Sequence, residues 1–293
     1  MVASEGTPQK RILDWYRAHG RDLPWRRTRD PYWILVSEVM LQQTQVDRVL
    51  PKFEQWLAAF PTVEALAEAP TSEVIRLWAP LGYNSRAVRL QAIARQCVRE
   101  FGGRMPQTFE ELLRLKGVGR YTSGAVACFA YEQQVAFWDT NVRRVLARLF
   151  RGAEAELTER ELETLAQQVL PEGEAYAWHQ ALMDLGATVC GSRNPRCDLC
   201  PALDVCAAHP AILFKPMAVA ERKARYEAQP FETTNRYFRG RVVDALRERS
   251  PLSLEELAVR LGREEPAWLD KLVGGLERDG LVVRHSDEVS LPV

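Results

Sequence analysis

The sequence Leu-Arg-Leu-Lys-Gly-Val-Gly-Arg-Tyr-Thr at residues 113–122 separates two stretches that have the apolar periodicity of helices. These stretches span 109–115 and 122–131. Gly117 and Gly119 allow a tight turn that points successive backbone N–H groups outward at the start of the second helix, where an anion is favoured. The segment therefore predicts a helical hairpin that binds a phosphate group.

Polar residues around this turn support the same interpretation. Lys116 and Arg120 flank the glycines, Val118 lies between them, and Thr122 is expected to cap the second helix. The alternative is an ordinary helix–glycine–helix turn on a solvated basic face. Because backbone amides that grip a phosphate do not read base sequence, the hairpin predicts DNA binding without sequence specificity.

The body of the chain is predicted to be all-α. Apolar residues recur every three or four positions over 11–19, 63–77 and 85–101, and strand-like alternation is nearly absent before residue 280. Proline and glycine recur at short intervals and join the helices by tight turns. We therefore expect a compact body of short helices.

The chain changes in character after Cys206. Residues 210–235 mix prolines with charges and show little periodicity, which indicates a linker. In residues 236–293 three amphipathic segments precede two short strand-like runs, which predicts a small winged-helix-like module. These segments span 237–249, 253–261, 266–279, 281–284 and 289–291.

Composition excludes several classes of protein. The chain has 293 residues, of which 46% are hydrophobic, so disorder is not expected for most of it. There is no apolar run of 18 residues and no signal-like N-terminus, so we expect a cytoplasmic protein without disulfides. The 39 basic and 39 acidic residues balance, but residues 113–151 hold seven basic against two acidic ones. A neutral total is therefore compatible with a nucleic-acid partner.

Four of the six cysteines have the spacing of metal ligands. They are Cys190, Cys197, Cys200 and Cys206. Four clustered thiolates in a reducing compartment usually bind metal, and either a [4Fe-4S] cluster or a tetrahedral zinc ion fits such a set. Cys97 and Cys128 lie on apolar helical faces and are expected to be core residues.

Two carboxylates are candidate catalytic groups. Asp139 follows the apolar run 135–138 and precedes a basic helical segment, where it can stay ionised beside a cationic intermediate or simply cap the helix. Glu38 lies between an apolar and an amide-rich stretch, where it can serve as a general acid or be an ordinary surface charge. The residues alone leave both alternatives open.

Taken together, these motifs resemble the endonuclease III superfamily of base-excision glycosylases. The resemblance rests on LKGVGRYT, on an Asp 20 residues after Gly119 and on the cysteine spacing, and it covers roughly residues 8–208. Four further segments are similar to the adenine DNA glycosylase, or MutY, family: RDLPWR (21–26), SEVMLQQTQV (37–46), LGY (81–83) and ALMDLGATVC (181–190).

The resemblance implies a [4Fe-4S] cluster rather than zinc, and an endonuclease III-like all-α body of two subdomains with the active site in the cleft between them. Residues 1–29 and 136–209 would form the iron–sulfur cluster subdomain. Residues 30–135 would form a six-helix barrel subdomain that includes a helix-hairpin-helix at 109–131.

Roles for individual residues also follow from the resemblance. Glu38 would protonate adenine N7, and Asp139 would stabilise an oxocarbenium-like sugar. Tyr121 and Asn141 would orient the aspartate and the attacking water. The residues expected to contact DNA, or the base extruded from it, are Arg21, Leu23, Trp25, Arg26, Gln43, Tyr83, Lys116, Gly117, Val118, Gly119, Arg120 and Asp184.

Several of these contacts have a specific expected form. Gln43 and Tyr83 match residues that wedge into the duplex around the lesion. Trp25 and Arg26 match residues that line the base pocket, and Asp184 matches a carboxylate that faces the extruded base. The resemblance thus implies double-stranded DNA with a mispaired or oxidised base as the partner of a monomeric protein.

The residue at position 121 bears on the type of reaction. Bifunctional relatives carry a Lys there, whose amine forms the Schiff base needed for strand cleavage, whereas this chain has Tyr121. Arg143 stands where some relatives carry another Lys, and the chain has only six lysines. A monofunctional glycosylase that removes adenine mispaired with 8-oxoguanine or guanine is therefore expected.

The chain departs from the family pattern in places. Residues 210–293 are too few and too helical for the Nudix-like domain of typical members. The segment 264–271 is acidic, which predicts poor binding in the major groove of DNA. We therefore expect the C-terminal module to pack on the body or to bind a protein. Thr140 and Asn84 also differ from the usual residues. Two alternatives stay open: a glycosylase for thymine or uracil opposite guanine, and a non-catalytic DNA binder that senses damage or redox state.

Overall fold

The structure, a computed structural model, describes residues 6–153, 155–209, 211 and 230–293. Most of the predicted linker at 210–235 lies outside the described residues. The contacts divide the chain into two compact units. The first unit comprises Met1–Ile34, Gln107–Arg114 and Val118–Ala224, and the second comprises Leu35–Pro106, Leu115–Gly117 and Arg225–Val293.

Helices dominate the described residues up to 209, so the predicted all-α body is confirmed. In chain order, α1 to α11 are Pro8–His19, Pro31–Leu41, Val46–Ala59, Val63–Glu68, Thr71–Trp78, Ser85–Phe101, Phe109–Leu113, Arg120–Tyr131, Thr140–Phe150, Glu159–Val169 and Ala175–Thr188. Short 3₁₀ turns occur at Pro24–Arg26, Cys197–Leu199, Leu203–Val205 and Phe231–Thr233. No helix among the described residues combines the length and the apolar composition needed to cross a membrane.

Local sequence signals account for several helix boundaries. A capping box at Thr108 begins α7 and another at Thr158 begins α10, and each pairs with a glutamate three residues later. Asp139 caps α9 through its side chain. Gly102, with φ +60°, ends α6 in the left-handed conformation that glycine adopts at low cost.

Two details of the helices differ from the sequence predictions. The periodic stretch 63–77 is two helices, because Pro70 lacks a backbone N–H and disfavours helical geometry at the residue before it. The N-cap of α8 is Gly119 rather than Thr122, whose side chain is buried inside the first turn. The helix α8 therefore begins without a hydrogen bond from a capping side chain.

The C-terminal part of the second unit has the topology of a winged helix. It contains α12 (Asn235–Glu248), β1 (Leu252–Ser253), α13 (Leu254–Leu261), α14 (Pro266–Arg278), β2 (Val283–His285) and β3 (Glu288–Ser290). The three strands form an antiparallel sheet in the order β1-β3-β2, in which Val289 pairs with Leu252 on one side and Arg284 on the other. The predicted winged-helix-like module is confirmed.

This module, which we call the tail (residues 230–293), packs on the rest of the second unit. Ile75 of α5 belongs to the same buried cluster as Leu246 and Leu272 of the tail. Arg247 donates to the carbonyl oxygen of Ile75 from Nε at 3.1 Å and from Nη2 at 2.8 Å. Packing on the body, one of the two roles predicted for the tail, is therefore observed.

The subdomain boundaries predicted from the sequence stay a prediction. That division placed 30–135 in one subdomain, whereas the contacts assign 30–34, 107–114 and 118–135 to the first unit. The hairpin at 113–122 thus contains residues of both units.

Candidate active site and DNA interface

Asp139 is a helix cap whose two carboxylate oxygens are both held. Its Oδ1 accepts the backbone N–H of Val142 at 2.7 Å, and its Oδ2 accepts Nδ2 of Asn141 at 3.1 Å. Asp139 therefore caps α9, which was one of the two alternatives from the sequence, and its carboxylate is fixed at the start of this helix. An anchored carboxylate at a helix N-terminus is suited to stabilise a nearby positive charge.

Asn141 is positioned in turn by Arg144, which the sequence patterns did not single out. Arg144 Nη2 donates to Asn141 Oδ1 at 2.8 Å and to the carbonyl oxygen of Gly186 at 2.8 Å. Its Nε donates to the carbonyl oxygen of Cys190 at 2.9 Å. The only signal in the sequence is the i, i+3 spacing on one helix face, because the other acceptors are backbone atoms.

Tyr121 packs in an aromatic group beneath α8. Its ring meets Phe137 edge to face, with centroids 5.7 Å apart, and Phe137 stacks on His179 at 3.9 Å. His179 Nε2 accepts the backbone N–H of Phe137 at 3.3 Å, and its Nδ1 lies 2.8 Å from the carbonyl oxygen of Ala175. The imidazole thus holds the segment of chain that leads to Asp139.

Burial of His179 should make the stability of the fold depend on pH. Desolvation lowers the pKa of His179 from 6.5 to about 4, and because the folded state resists protonation, stability is lost as the pH falls below 6.5. Between pH 7 and pH 5 we expect His179 to reduce the free energy of unfolding by roughly 2 kcal/mol. Urea unfolding of the wild type and of His179→Gln at both pH values measures this contribution.

The exposed His19 provides a control for this measurement. His19→Gln should keep the pH dependence of the wild type, whereas His179→Gln should weaken it. An equal pH dependence in the wild type and in His179→Gln would contradict the assignment.

Glu38 lies on α2, in the second unit, and its side chain is buried. It is 6% exposed, and its neighbours Ser37 and Val39 are also buried. The alternative of an ordinary surface charge is therefore excluded. A buried carboxyl group can serve as a general acid that donates a proton to a substrate.

Asp184 is held by two arginines in the first unit. Arg26 binds it through two parallel bonds, from Nη1 to Oδ2 at 2.8 Å and from Nη2 to Oδ1 at 2.7 Å. Arg21 donates from its backbone N–H at 2.9 Å and from Nε at 2.7 Å. With Asp184 only 1% exposed, its carboxylate faces the two guanidinium groups, and its predicted contact with an extruded base stays a prediction.

Trp25 and Leu23 support this ion-pair group. Each side chain is 6% exposed, and Trp25 lies in the short 3₁₀ turn that ends with Arg26. The phenolic O–H of Tyr176 donates to the carbonyl oxygen of Arg26 at 3.1 Å. The RDLPWR segment makes these contacts inside the first unit, and its role in the base pocket stays a prediction.

Gln43 and Tyr83 lie on exposed turns of the second unit, and both have a left-handed backbone. Their φ values are +57° and +46°, which is unusual for residues other than glycine. Such conformations persist only where the surrounding structure enforces them, and they cluster at functional sites. The predicted role of both residues as wedges stays a prediction.

The residue that holds both turns is Arg86, which the sequence patterns also did not reveal. Arg86 is 4% exposed, and its guanidinium donates to carbonyl oxygens that precede Gln43 and Tyr83 and to the hydroxyl of Thr44. The acceptors are Val39 at 3.1 Å, Met40 at 2.9 Å, Gln42 at 2.5 Å, Leu81 at 3.4 Å, Gly82 at 3.1 Å and Thr44 Oγ1 at 3.0 Å. Burial lowers the pKa of Arg86 to about 10, so the group stays charged at neutral pH.

The glycine turn of residues 113–122 presents its backbone to solvent. Lys116, Gly117, Gly119 and Arg120 are exposed, whereas the side chain of Val118 is 6% exposed and contributes packing. Arg120 forms an ion pair with Glu163, and an exposed pair of this kind is weak enough to rearrange for a phosphate. The turn retains the features expected of a phosphate-binding hairpin.

The two glycines of this turn have different structural requirements. Gly117 has φ +92°, and a Cβ there would lie 2.7 Å from Cδ of Arg89. Gly119 has φ −94°, and a Cβ there would meet nothing within 4 Å. Only Gly117 is therefore needed for the conformation of the free protein.

We expect Gly117→Ala to lower the free energy of unfolding by about 1 to 2 kcal/mol, because alanine disfavours positive φ. Gly119→Ala should cost about 0.5 kcal/mol, yet weaken DNA binding about tenfold, because its methyl group would stand between a phosphate and the amides of α8. Thermal unfolding and fluorescence anisotropy on a labelled duplex separate these effects. Equal losses of stability in both variants would contradict this division of roles.

The four predicted cluster ligands line one cavity of the first unit, next to Arg148. Arg148 Nη1 donates to Cys190 Sγ at 3.5 Å, and Cys206 Sγ lies 3.6 Å from the carbonyl oxygen of Arg148. Desolvation raises the pKa of Cys200 to about 11. Among the described residues, no group of three or more His, Cys, Asp or Glu side chains is arranged to hold a metal ion. The buried Cys97 and Cys128 are core residues, as predicted.

Comparisons with known proteins agree with this arrangement. The model of the HhH-GPD superfamily base excision DNA repair protein matches residues 36–172. An adenine DNA glycosylase of Mycolicibacterium smegmatis is 43% identical over 279 residues, which cover 94% of this chain and 92% of that protein. An adenine DNA glycosylase of Homo sapiens is 46% identical over 209 residues, which cover 67% of this chain and 38% of that protein.

Solved structures of the same fold are also similar. A thermostable thymine-DNA glycosylase superposes with a TM-score of 0.66 and 33% identity, over 69% of this chain and 94% of that chain. A non-covalent endonuclease III–DNA complex gives a TM-score of 0.62 at 22% identity, over 71% of this chain and 95% of that chain. The second likeness supports the fold alone.

The fold, the glycine turn and the anchored carboxylate thus define a base-excision DNA glycosylase. Such an enzyme hydrolyses the N-glycosyl bond of a base in DNA, and DNA is its partner. Within this class the chain belongs to the adenine DNA glycosylase family of the HhH-GPD superfamily.

Proposed function

We propose that the protein removes adenine paired with 8-oxoguanine or guanine from double-stranded DNA. The anchored carboxylate of Asp139 carries this proposal, because cleavage of an N-glycosyl bond develops positive charge on the sugar. The 43% identity to an adenine DNA glycosylase over 94% of the chain supports adenine as the base.

In this mechanism the two carboxyl groups have different roles. Buried Glu38 enters the reaction protonated and donates its proton to N7 of the extruded adenine, which then leaves as a neutral base. The carboxylate of Asp139, held by hydrogen bonds from Val142 and Asn141, stabilises the oxocarbenium-like sugar until water attacks. Tyr121 and Asn141 keep the aspartate and the water in place.

We also propose that the four cysteines hold a [4Fe-4S] cluster, which would link the end of α11 to the loop that follows it. The fit rests on their shared cavity and on the Arg148 guanidinium beside Cys190, which suits a ligand set of negative charge. Iron and sulfide analysis of the purified protein, together with its visible absorption, distinguishes a cluster from a colourless zinc site.

The reaction is proposed to stop at base removal. Position 121 offers a phenol rather than an amine, and the guanidinium of Arg143 is occupied by Glu159 and by the carbonyl oxygen of Leu157. Without an amine beside the sugar, no Schiff base can form. Efficient trapping of a covalent complex by borohydride on a substrate duplex would overturn this part of the proposal.

A second candidate substrate is thymine or uracil opposite guanine, which the likeness to a thymine-DNA glycosylase at 33% identity favours. Single-turnover assays on duplexes with A:8-oxoguanine, A:G, T:G and U:G pairs decide between the two. Release of adenine supports the main proposal, and release of only thymine or uracil supports the second. Binding without release of any base would instead indicate a DNA-binding sensor.

The cellular location and the oligomeric state are proposed from the class of the enzyme. We expect a monomer that works in the cytoplasm on the nucleoid, because its substrate is chromosomal DNA. Size-exclusion chromatography with light scattering, with and without a short duplex, measures the number of chains per duplex.

A further inference from the structure

The second unit contains a groove between the tail and the turns that carry Gln43 and Tyr83. The cavity has a volume of about 820 Å³, large enough for a nucleotide. From the tail it is lined by Phe231, Arg236 and Arg241, and from the body it is lined by the two turns. We call this cavity the tail groove.

The charge of the tail groove is positive. Two aspartates line it, but Asp244 pairs with Arg247 at 2.7 Å and Asp279 pairs with Arg239. Three further arginines line the groove: Arg48, Arg236 and Arg241. Within the described residues, none of the three forms an ion pair with an acidic side chain. An excess of guanidinium groups in a concave surface attracts phosphate.

Aromatic rings lie among these arginines. The Arg236 guanidinium lies over the Tyr83 ring, 4.0 Å from its centroid, and 5.8 Å from that of Phe231. Tyr83 is 37% exposed and Phe231 is 53% exposed, and because the Arg86 guanidinium also lies 5.4 Å from the Tyr83 centroid, the ring more open to a further stacking partner is that of Phe231. Aromatic rings combined with arginines are the surface on which unstacked bases bind.

The rest of the tail has a different character. The start of α14, where a winged helix usually reads DNA, has Glu264, Glu265 and Asp270 around it. The first half of α12 has no acidic residue, and its arginines Arg236, Arg239 and Arg241 line the groove. The tail is thus polarised, and its basic side faces the two strained turns within the second unit.

We propose that the tail groove binds substrate DNA, with phosphates at Arg236 and Arg241 and an unstacked base against Tyr83 and Phe231. The inference rests on the proposed function in one respect, since a glycosylase unstacks a base pair at the site that it processes. The tail would then extend the DNA interface beyond the glycine turn of residues 113–122.

The salt dependence of binding tests this inference. Anisotropy of a labelled A:8-oxoguanine duplex is measured with the full chain carrying Glu38→Gln, to prevent excision, over a range of KCl concentrations. Adding Arg236→Ala and Arg241→Ala should weaken binding at least tenfold. The slope of log K against log salt should fall by about two, close to one for each phosphate that the arginines no longer neutralise.

The matched control removes two exposed arginines from the other side of the tail. Arg249 and Arg260 pair with Glu256 and Glu248, so Arg249→Ala with Arg260→Ala makes the same change in total charge. This control should leave the salt slope unchanged. An unchanged slope in the groove variant, or equal changes in both variants, would overturn the inference.

A conservative replacement separates stacking from charge. Arg236→Lys keeps the positive charge but loses the flat guanidinium, so the salt slope should stay while affinity falls several-fold. An affinity equal to that of the Glu38→Gln parent would overturn the stacking part of the proposal. These binding measurements do not depend on base release, so failure of the proposed excision and failure of the tail groove give different results.

Discussion

Asp139→Asn is expected to lower the single-turnover rate of adenine excision by about a thousandfold, which corresponds to about 4 kcal/mol of transition-state stabilisation. The substitution removes the negative charge that faces the developing cation but retains an oxygen that accepts the N–H of Val142. Because Asn is as good a helix cap as Asp, α9 should still begin at Thr140.

The cost in stability should be small by comparison. Asn141 now donates to the second carboxylate oxygen and would lose that acceptor, which costs about 1 kcal/mol. Circular dichroism and thermal unfolding should therefore show a folded protein, and binding of an uncleaved duplex should be retained. The variant separates the charge of Asp139 from its role as a cap.

The control is Asp47→Asn, which makes the same chemical change at an exposed position in the first turn of α3. It should excise adenine at the wild-type rate. If Asp139→Asn kept a rate within tenfold of the wild type while the fold was intact, the proposed role of Asp139 would be wrong. Glu38→Gln should lower the rate by about 10² to 10⁴, as expected for loss of a general acid.

Much of this molecule could be predicted from the sequence, because the signals are local. Apolar periodicity predicted the helices of the body and of the tail, and the glycine spacing predicted the turn at 113–122. Asp139 was found because an aspartate after an apolar run is a recognisable helix start. The break at Pro70 shows the limit of this approach, since the apolar periodicity continues across a proline at which one helix ends and the next begins, whereas Pro51 lies inside α3.

The residues that the sequence did not reveal act through backbone atoms. Arg86 and Arg144 donate mainly to carbonyl oxygens, which every residue has, so no pattern of side chains points to them. The pairing of Asp184 with Arg21 and Arg26 depends on contacts between segments more than 150 residues apart. Neither kind of interaction leaves a periodic or spaced signal in the chain.

Arg86→Met is expected to have the largest effect on stability of any substitution considered, with a loss of about 3 to 5 kcal/mol in the free energy of unfolding. Methionine can fill the space beside Trp78, but it leaves the carbonyl oxygens of both turns without donors in a buried site. Each unsatisfied buried acceptor costs about 1 to 3 kcal/mol, and relaxation of the turns recovers part of that cost.

Relaxation of the turns should also weaken function. Gln43 and Tyr83 have positive φ values, and one guanidinium holds the carbonyl group that precedes each of them. In Arg86→Met we therefore expect weaker binding of the substrate duplex even below the unfolding temperature. Arg86→Lys should be intermediate in both properties, because one ammonium group cannot reach all six acceptors.

Arg99→Met is the matched control, since Arg99 lies on the same helix and its exposed side chain pairs with Glu100. Loss of an exposed pair should change the free energy of unfolding by less than about 1 kcal/mol. Thermal unfolding of the three variants and anisotropy on the duplex provide both measurements. The expectation rests on the difference between Arg86, a buried donor with six acceptors, and Arg99, an exposed donor paired with Glu100. If Arg86→Met were as stable as Arg99→Met, something other than Arg86 would have to hold the two turns.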